Sequence, residues 1–99
     1  KKMESVGKKM IEKRVVGEGR VQGVGFRAMV KKTARQYGLK GVVRNLPRGQ
    51  VEFHIQGPIP IVESFITTIC ERPFVGEVSS FFIEDVTIQG LYEGFEILF

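Results

Sequence analysis

Apolar residues recur along this chain with two different periods, and each change of period marks the end of one element and the start of another. Ile11 to Glu18, with the β-branched pair Val15 and Val16 ahead of a glycine cluster, reads as a first strand. Phe26, Val30, Ala34 and Tyr37 then return at intervals of three and four, the spacing of one helical face, with Lys31, Lys32 and Arg35 off that stripe. Gly38 supplies the stop, because glycine adopts the left-handed conformation that closes a helix. Leu39 to Leu46 and Gln50 to Gln56 predict a second and a third strand, and Pro47-Arg48-Gly49 between them suits a short hairpin connection. In the third strand Val51, Phe53 and Ile55 share one face, while Glu52, His54 and Gln56 share the other and are expected in solvent.

Val62, Phe65, Ile66, Ile69 and Cys70 repeat the helical spacing and predict a second amphipathic helix, closed by Pro73. Val78 to Val86 reads as a fourth strand, in which the consecutive Phe81, Phe82 and Ile83 interrupt alternation and predict a bulge. Phe95, Ile97 and Phe99 alternate in a short last strand. The order is β-α-β-β-α-β with an extra C-terminal strand. Two helices with apolar stripes and an antiparallel sheet with one apolar face combine as a two-layer α+β sandwich of the ferredoxin-like type. Residues 1 to 9, charged and aperiodic, read as a flexible tail, and 10 to 99 as one domain, since 99 residues supply one core and not two.

Composition narrows this picture by exclusion. With 42% apolar and 26% charged residues the chain belongs with globular rather than disordered proteins. No apolar run is long enough to span a bilayer, and no secretory signal opens the chain, so a cytoplasmic setting away from membranes is the default expectation; a monomer is expected too, with no residue pattern that decides it. One cysteine and one histidine leave no internal disulfide and argue against a zinc or two-metal centre. Cys70 is expected as a buried packing residue. The net charge of +4 hides an asymmetry: eight Lys and Arg fall between Arg20 and Arg48 with no acid among them, whereas residues 49 to 99 set Arg72 against eight acids. The first half of the chain attracts anions, although Lys31, Lys32 and Arg35 are accounted for as a solvated helix face.

Gly19-Arg20-Val21-Gln22-Gly23-Val24-Gly25-Phe26-Arg27 concentrates that anion-binding character. Glycines let amide N–H groups approach a ligand closely, the helix that follows presents unpaired N–H groups at its start, and arginine offers a fork that matches phosphate. A dinucleotide-binding reading of Gly23-x-Gly25-x-x-Ala28 fails, because Asn45 and Leu46 stand where that fold needs an acid for the ribose. No Gly-Lys-Ser/Thr occurs, which excludes a Walker loop. Val21 and Arg27 copy the spacing of the cysteine phosphatases, with valine in the nucleophile's place, so hydrolysis here must use water directly. Arg48-Gly49 before the third strand imitates the start of an RNA-binding motif, but Gln50 and Glu52 occupy the positions that need aromatics, so no nucleic-acid partner is expected.

The stretch Gly19 to Arg27 resembles the first signature of the acylphosphatase family, and Gly41-Val42-Val43-Arg44-Asn45, followed by Gly49, Val51 and Gly57, resembles its second. The resemblance covers about residues 11 to 99, and two linked motifs are more specific than either alone. It implies hydrolysis of the carboxyl-phosphate bond of a small acyl phosphate, with inorganic phosphate as product and without metal or cofactor. By that resemblance Arg27 holds the phosphoryl group together with the loop residues Gln22, Gly23, Val24, Gly25 and Phe26, and Asn45 orients the attacking water. On the residues alone, Asn45 reads as a strand-end side chain bonded to its own turn, a preference the paired signatures reverse. Gln22 either touches ligand or ties the loop together. The chemistry is consistent with such a division: the carboxylate leaving group, whose conjugate acid has a pKa of about 4 to 5, departs without a general acid.

Two departures from the family pattern stand out. Val42 replaces the usual aromatic, and Phe95-Glu96-Ile97-Leu98-Phe99 lacks the basic residue often found near the family's C-terminus. The alternative reading is a non-catalytic module that holds phosphate or a carbamoyl-phosphate-like ligand, as similar domains do at the start of hydrogenase-maturation carbamoyltransferases. A last predicted strand with no linker after it points to a free-standing enzyme.

Overall fold

The computed structural model describes residues 9–22, 25–71 and 77–99. Its elements are β1 (Met10–Arg20), α1 (Phe26–Gln36), β2 (Lys40–Asn45), a single 3-10 turn (Pro47–Gly49), β3 (Val51–Pro58), α2 (Ile59–Glu71), β4 (Glu77–Val86) and β5 (Phe95–Leu98). The five strands form one sheet in the order β4-β1-β3-β2-β5. Both helices pack on one face, where Val15, Val43, Val51, Phe53 and Ile55 meet Phe26, Val30, Val62 and Phe65 in a core from which water is excluded. Phe53 and Tyr37 each meet the Phe65 ring edge-on, with centroids 5.9 Å apart, an arrangement the ring quadrupoles favour. This is the α+β ferredoxin-like sandwich expected from the periodicities.

Several particulars differ from expectation. The added strand β5 pairs with β2 in parallel, Val43 opposite Ile97 and Arg44 opposite Leu98, so the sheet is mixed and not wholly antiparallel. Geometry requires a long connection for this, because β4 and β5 lie at opposite edges. Residues 87 to 94 make the crossing over the face without helices, where the buried Gln56 side chain donates to Gly90 O at 2.7 Å and accepts from Tyr92 N at 3.0 Å. His54 lies on that covered face, three-quarters buried, with Nδ1 2.7 Å from Glu12 Oε2; it is not the solvated strand residue that alternation suggested.

The bulge in β4 falls at Ser79, since Glu18 faces Ser80 while Gly19 faces Val78. From Phe81 to Val86 the pairing with β1 is continuous. Phe82 does not break the alternation; it sits opposite Val16 on the face away from the helices, more than half exposed. Cys70 is a free thiol packed against the core without full burial, and burial together with the nearby Glu71 pushes its pKa up. The expected tail lies outside the described residues up to residue 8, and Lys9 O already accepts a hydrogen bond from Ile59 N. Pro73, the expected end of the second helix, also lies outside them.

Candidate active site

The two signature segments are linked by the Gln22 side chain, which bonds the turn that follows β2. α1 begins at Phe26 behind Gly25, which adopts φ 85° and ψ 10°, a left-handed conformation that glycine enters without steric cost. No side chain caps this helix, and its first turn holds no acid. The N–H groups of that turn have no acceptor within the helix, and they gather at the positive end of its dipole. Arg27 sits among them, half-buried. It makes no ion pair with a described carboxylate, and its guanidinium carbon lies 5.2 Å from the centre of the Phe99 ring, within cation–π range.

Asn45 arrives by a different route. It is the last residue of β2, paired with Val51 of β3 and exposed, and its side chain makes no hydrogen bond to a described residue. The chain then turns through Pro47, Arg48 and Gly49, with Arg48 at φ 71° and Gly49 at φ 83°, and closes with Leu46 N donating to Gln50 O at 2.8 Å. Gln22 joins this turn to the glycine loop. Its Nε2 donates to Leu46 O and to Gln50 O, both at 2.8 Å, which engages both amide hydrogens. The parallel pairing of β2 and β5 supplies a second link. Arg44 faces Leu98, so Asn45 and Phe99 each stand one residue beyond that pair, and the exposed Phe99 ring lies within cation–π range of Arg27.

A cavity of about 130 Å³ opens beside Arg27, between Val21, Gly25, Phe26 and Ala28 on one side and Ile97 and Phe99 of the terminal segment, and Asn45 is not among the residues that line it. Phe26 lines this space and also packs in the core, being 1% exposed and tilted against Phe81 with centroids 6.4 Å apart. Gly23 and Val24, expected in the phosphate cradle, lie outside the described residues. Among the described residues no group of three His, Cys, Asp or Glu side chains could hold a metal ion, and no helix is long and apolar enough to cross a membrane.

The acylphosphatase profile matches residues 13–97, and so takes in both segments. The chain belongs to the acylphosphatase family. It is 40% identical over 91 residues to an acylphosphatase of Syntrophotalea carbinolica, an alignment covering 92% of this chain and 99% of that one. Among solved structures, the acylphosphatase of Bacillus subtilis superposes with a TM-score of 0.82 at 30% identity, covering 90% of this chain and 99% of the other. Full-length HypF, solved in a phosphate- and nucleotide-bound form, gives a TM-score of 0.85 at 30% identity over 92% of this chain, which corresponds to 12% of HypF. Acylphosphatase membership brings with it hydrolysis of a small acyl phosphate, with inorganic phosphate as product.

Within this acylphosphatase fold the terminal strand contributes residues that sequence reasoning did not assign to the site. Ile97 and Phe99, whose alternation predicts a short strand, both line the cavity beside Arg27. The signal was present as an aromatic residue in place of the family's terminal basic one. Its meaning depended on β5 lying next to β2, a pairing that no local pattern encodes.

Proposed function

We propose that the protein hydrolyses acyl phosphates by direct attack of water, with Arg27 and the amides of the glycine loop holding the phosphoryl group and Asn45 placing the water. The observation that carries this reading is the link between the two signature segments, with Gln22 of the glycine loop bonded to the turn that follows Asn45. A helix start with no acid and no cap, beside an arginine free of described carboxylates, leaves positive charge for an incoming anion. Such donors favour the charge that spreads over the phosphoryl oxygens in the transition state. The Asn45 side chain is exposed and unbonded among the described residues, so it has both an acceptor and donors for water. An amide takes no proton near neutral pH, and the phosphoryl oxygens accept the proton as water attacks.

Hydrolysis of benzoyl phosphate in the presence of EDTA tests this directly. Arg27→Ala and Asn45→Ala are each expected to lower kcat by at least ~10²-fold, the loss typical of one transition-state donor. Activity that vanishes with chelator, or near-wild-type turnover in either variant, contradicts the mechanism. A second reading, a module that binds phosphate without turnover, draws on the likeness to one segment of HypF. Calorimetric binding of phosphate with no hydrolysis of any acyl phosphate would favour it.

A further inference from the structure

Lys31, Lys32 and Arg35 take no part in the chemistry at phosphorus, and the fold places them in more than a solvated face. Between α1 and the edge strand β5 runs an open groove of about 600 Å³, lined by Ala28, Lys31, Lys32, Arg35, Gln36 and Ile97. Ala28 and Ile97 also line the cavity at Arg27, so the two spaces meet across these side chains. Arg27, Lys31 and Arg35 follow one another at intervals of four and share a helix face. Lys31 therefore lies about 6 Å, and Arg35 about 12 Å, along the helix axis from Arg27. The groove thus has an apolar floor, a cationic wall, and Arg27 at one end.

Glu96 shows what those cations can hold. Its Oε1 is 3.7 Å from Lys31 Nζ and its Oε2 is 3.5 Å from Arg35 Nη2, so a single carboxylate bridges both. Both distances exceed hydrogen-bond length. The Glu96 side chain is 61% exposed, and an ion pair so placed is held weakly. A carboxylate carried by a ligand would meet the same two cations, with Lys32 beside them and one surface glutamate to displace.

We propose that this groove is a subsite for the acyl end of the substrate and that it selects acyl phosphates bearing a second carboxylate, the half-phosphorylated dicarboxylic acids. The inference rests on the function proposed above, with the phosphoryl group at Arg27. The aliphatic chain lies over Ala28 and Ile97, and the distal carboxylate takes the place of Glu96 between Lys31 and Arg35. Bond breaking at phosphorus is unchanged.

Steady-state hydrolysis of succinyl phosphate and butyryl phosphate, alike in chain length and differing in the distal carboxylate, tests this at low ionic strength. The expected kcat/KM is about fivefold higher for succinyl phosphate, the scale of a well-placed exposed ion pair, expressed in KM and shrinking as salt is added. Combining Lys31→Ala with Arg35→Ala removes the preference and leaves butyryl phosphate turnover unchanged. Glu96→Gln, which releases both cations, enlarges it. Equal kcat/KM for the two substrates, or a preference that survives the double substitution, overturns the subsite and leaves the hydrolase reading intact. If neither substrate is hydrolysed, the hydrolase reading fails, and NMR titrations with succinate and butyrate decide the groove. Shifts of the Lys31 and Arg35 amides with succinate alone support it, and no difference between the two acids overturns it.

Discussion

Gln22 illustrates how much one side chain contributes to bringing two signatures together. Both of its amide hydrogens go to carbonyls of the β2–β3 turn, 24 and 28 residues further along the chain. From its identity alone Gln22 suits either a ligand contact or a tie within the loop. Its partners are distant in sequence, so only the folded chain shows where its donors go. Gln22→Ala leaves Leu46 O without this donor and Gln50 O with Leu46 N alone. Urea unfolding is expected to show a loss of about 1 to 2 kcal/mol, and kcat should fall while the far-UV spectrum stays native. Unchanged stability and turnover would remove the tie from the account. Arg27, by contrast, is legible from its place behind the glycines, whereas Asn45 is a candidate only through the paired signatures, because an asparagine at a strand end more often bonds its own turn.

At the level of elements, periodicity located both helices and all five strands, and the discrepancies fall where local pattern does not control pairing. The bulge moved to Ser79 because an apolar Phe82 is tolerated on the partly exposed edge strand β4, opposite Val16. Gly41 shows how β2 depends on a single residue. It sits at φ 155°, where a side chain is strained, and a Cβ there would run into His54 O of the neighbouring strand β3. Neither backbone can yield without breaking the β2–β3 ladder in which Asn45 is held opposite Val51. Gly41→Ala is therefore expected to cost several kcal/mol, in the range reserved for strained or overpacked positions. A thermal melt checks this, and a loss under about 1 kcal/mol would show that the strand accommodates the methyl group. Gly49→Ala offers a comparison, because its added Cβ meets nothing within 4 Å and only its positive φ opposes the change.

Across the whole molecule, the face without helices holds a network that links three adjacent strands and the edge of β4. Glu52 on β3 accepts from Arg14 Nε of β1 at 2.5 Å and from Arg44 Nε of β2 at 2.8 Å, while Arg14 Nη1 also reaches Glu84 at 3.0 Å. Burial pushes the Glu52 carboxyl pKa up, but the hydrogen bonds and charges of Arg14 and Arg44 outweigh it and hold the pKa below its ordinary 4.5. The folded state thus binds this proton less readily than the unfolded chain. The contribution to stability is complete above pH 4.5 and is lost as pH falls through the lower, folded value. Denaturation midpoints should decline with acid in that window, and Glu52→Gln should flatten the decline while lowering stability at neutral pH. A variant with the wild-type acid slope would separate Glu52 from the effect. The sequence by itself determined the alternation of elements, the ferredoxin-like class and the two signatures, because these rest on local periodicity and on residue chemistry. Tertiary structure alone decided that β5 runs parallel to β2, that residues 87 to 94 cover Glu12, His54 and Gln56, and that Phe99 reaches Arg27. Each of those depends on which strands become neighbours, and that is set by the fit of the whole core rather than by any one segment.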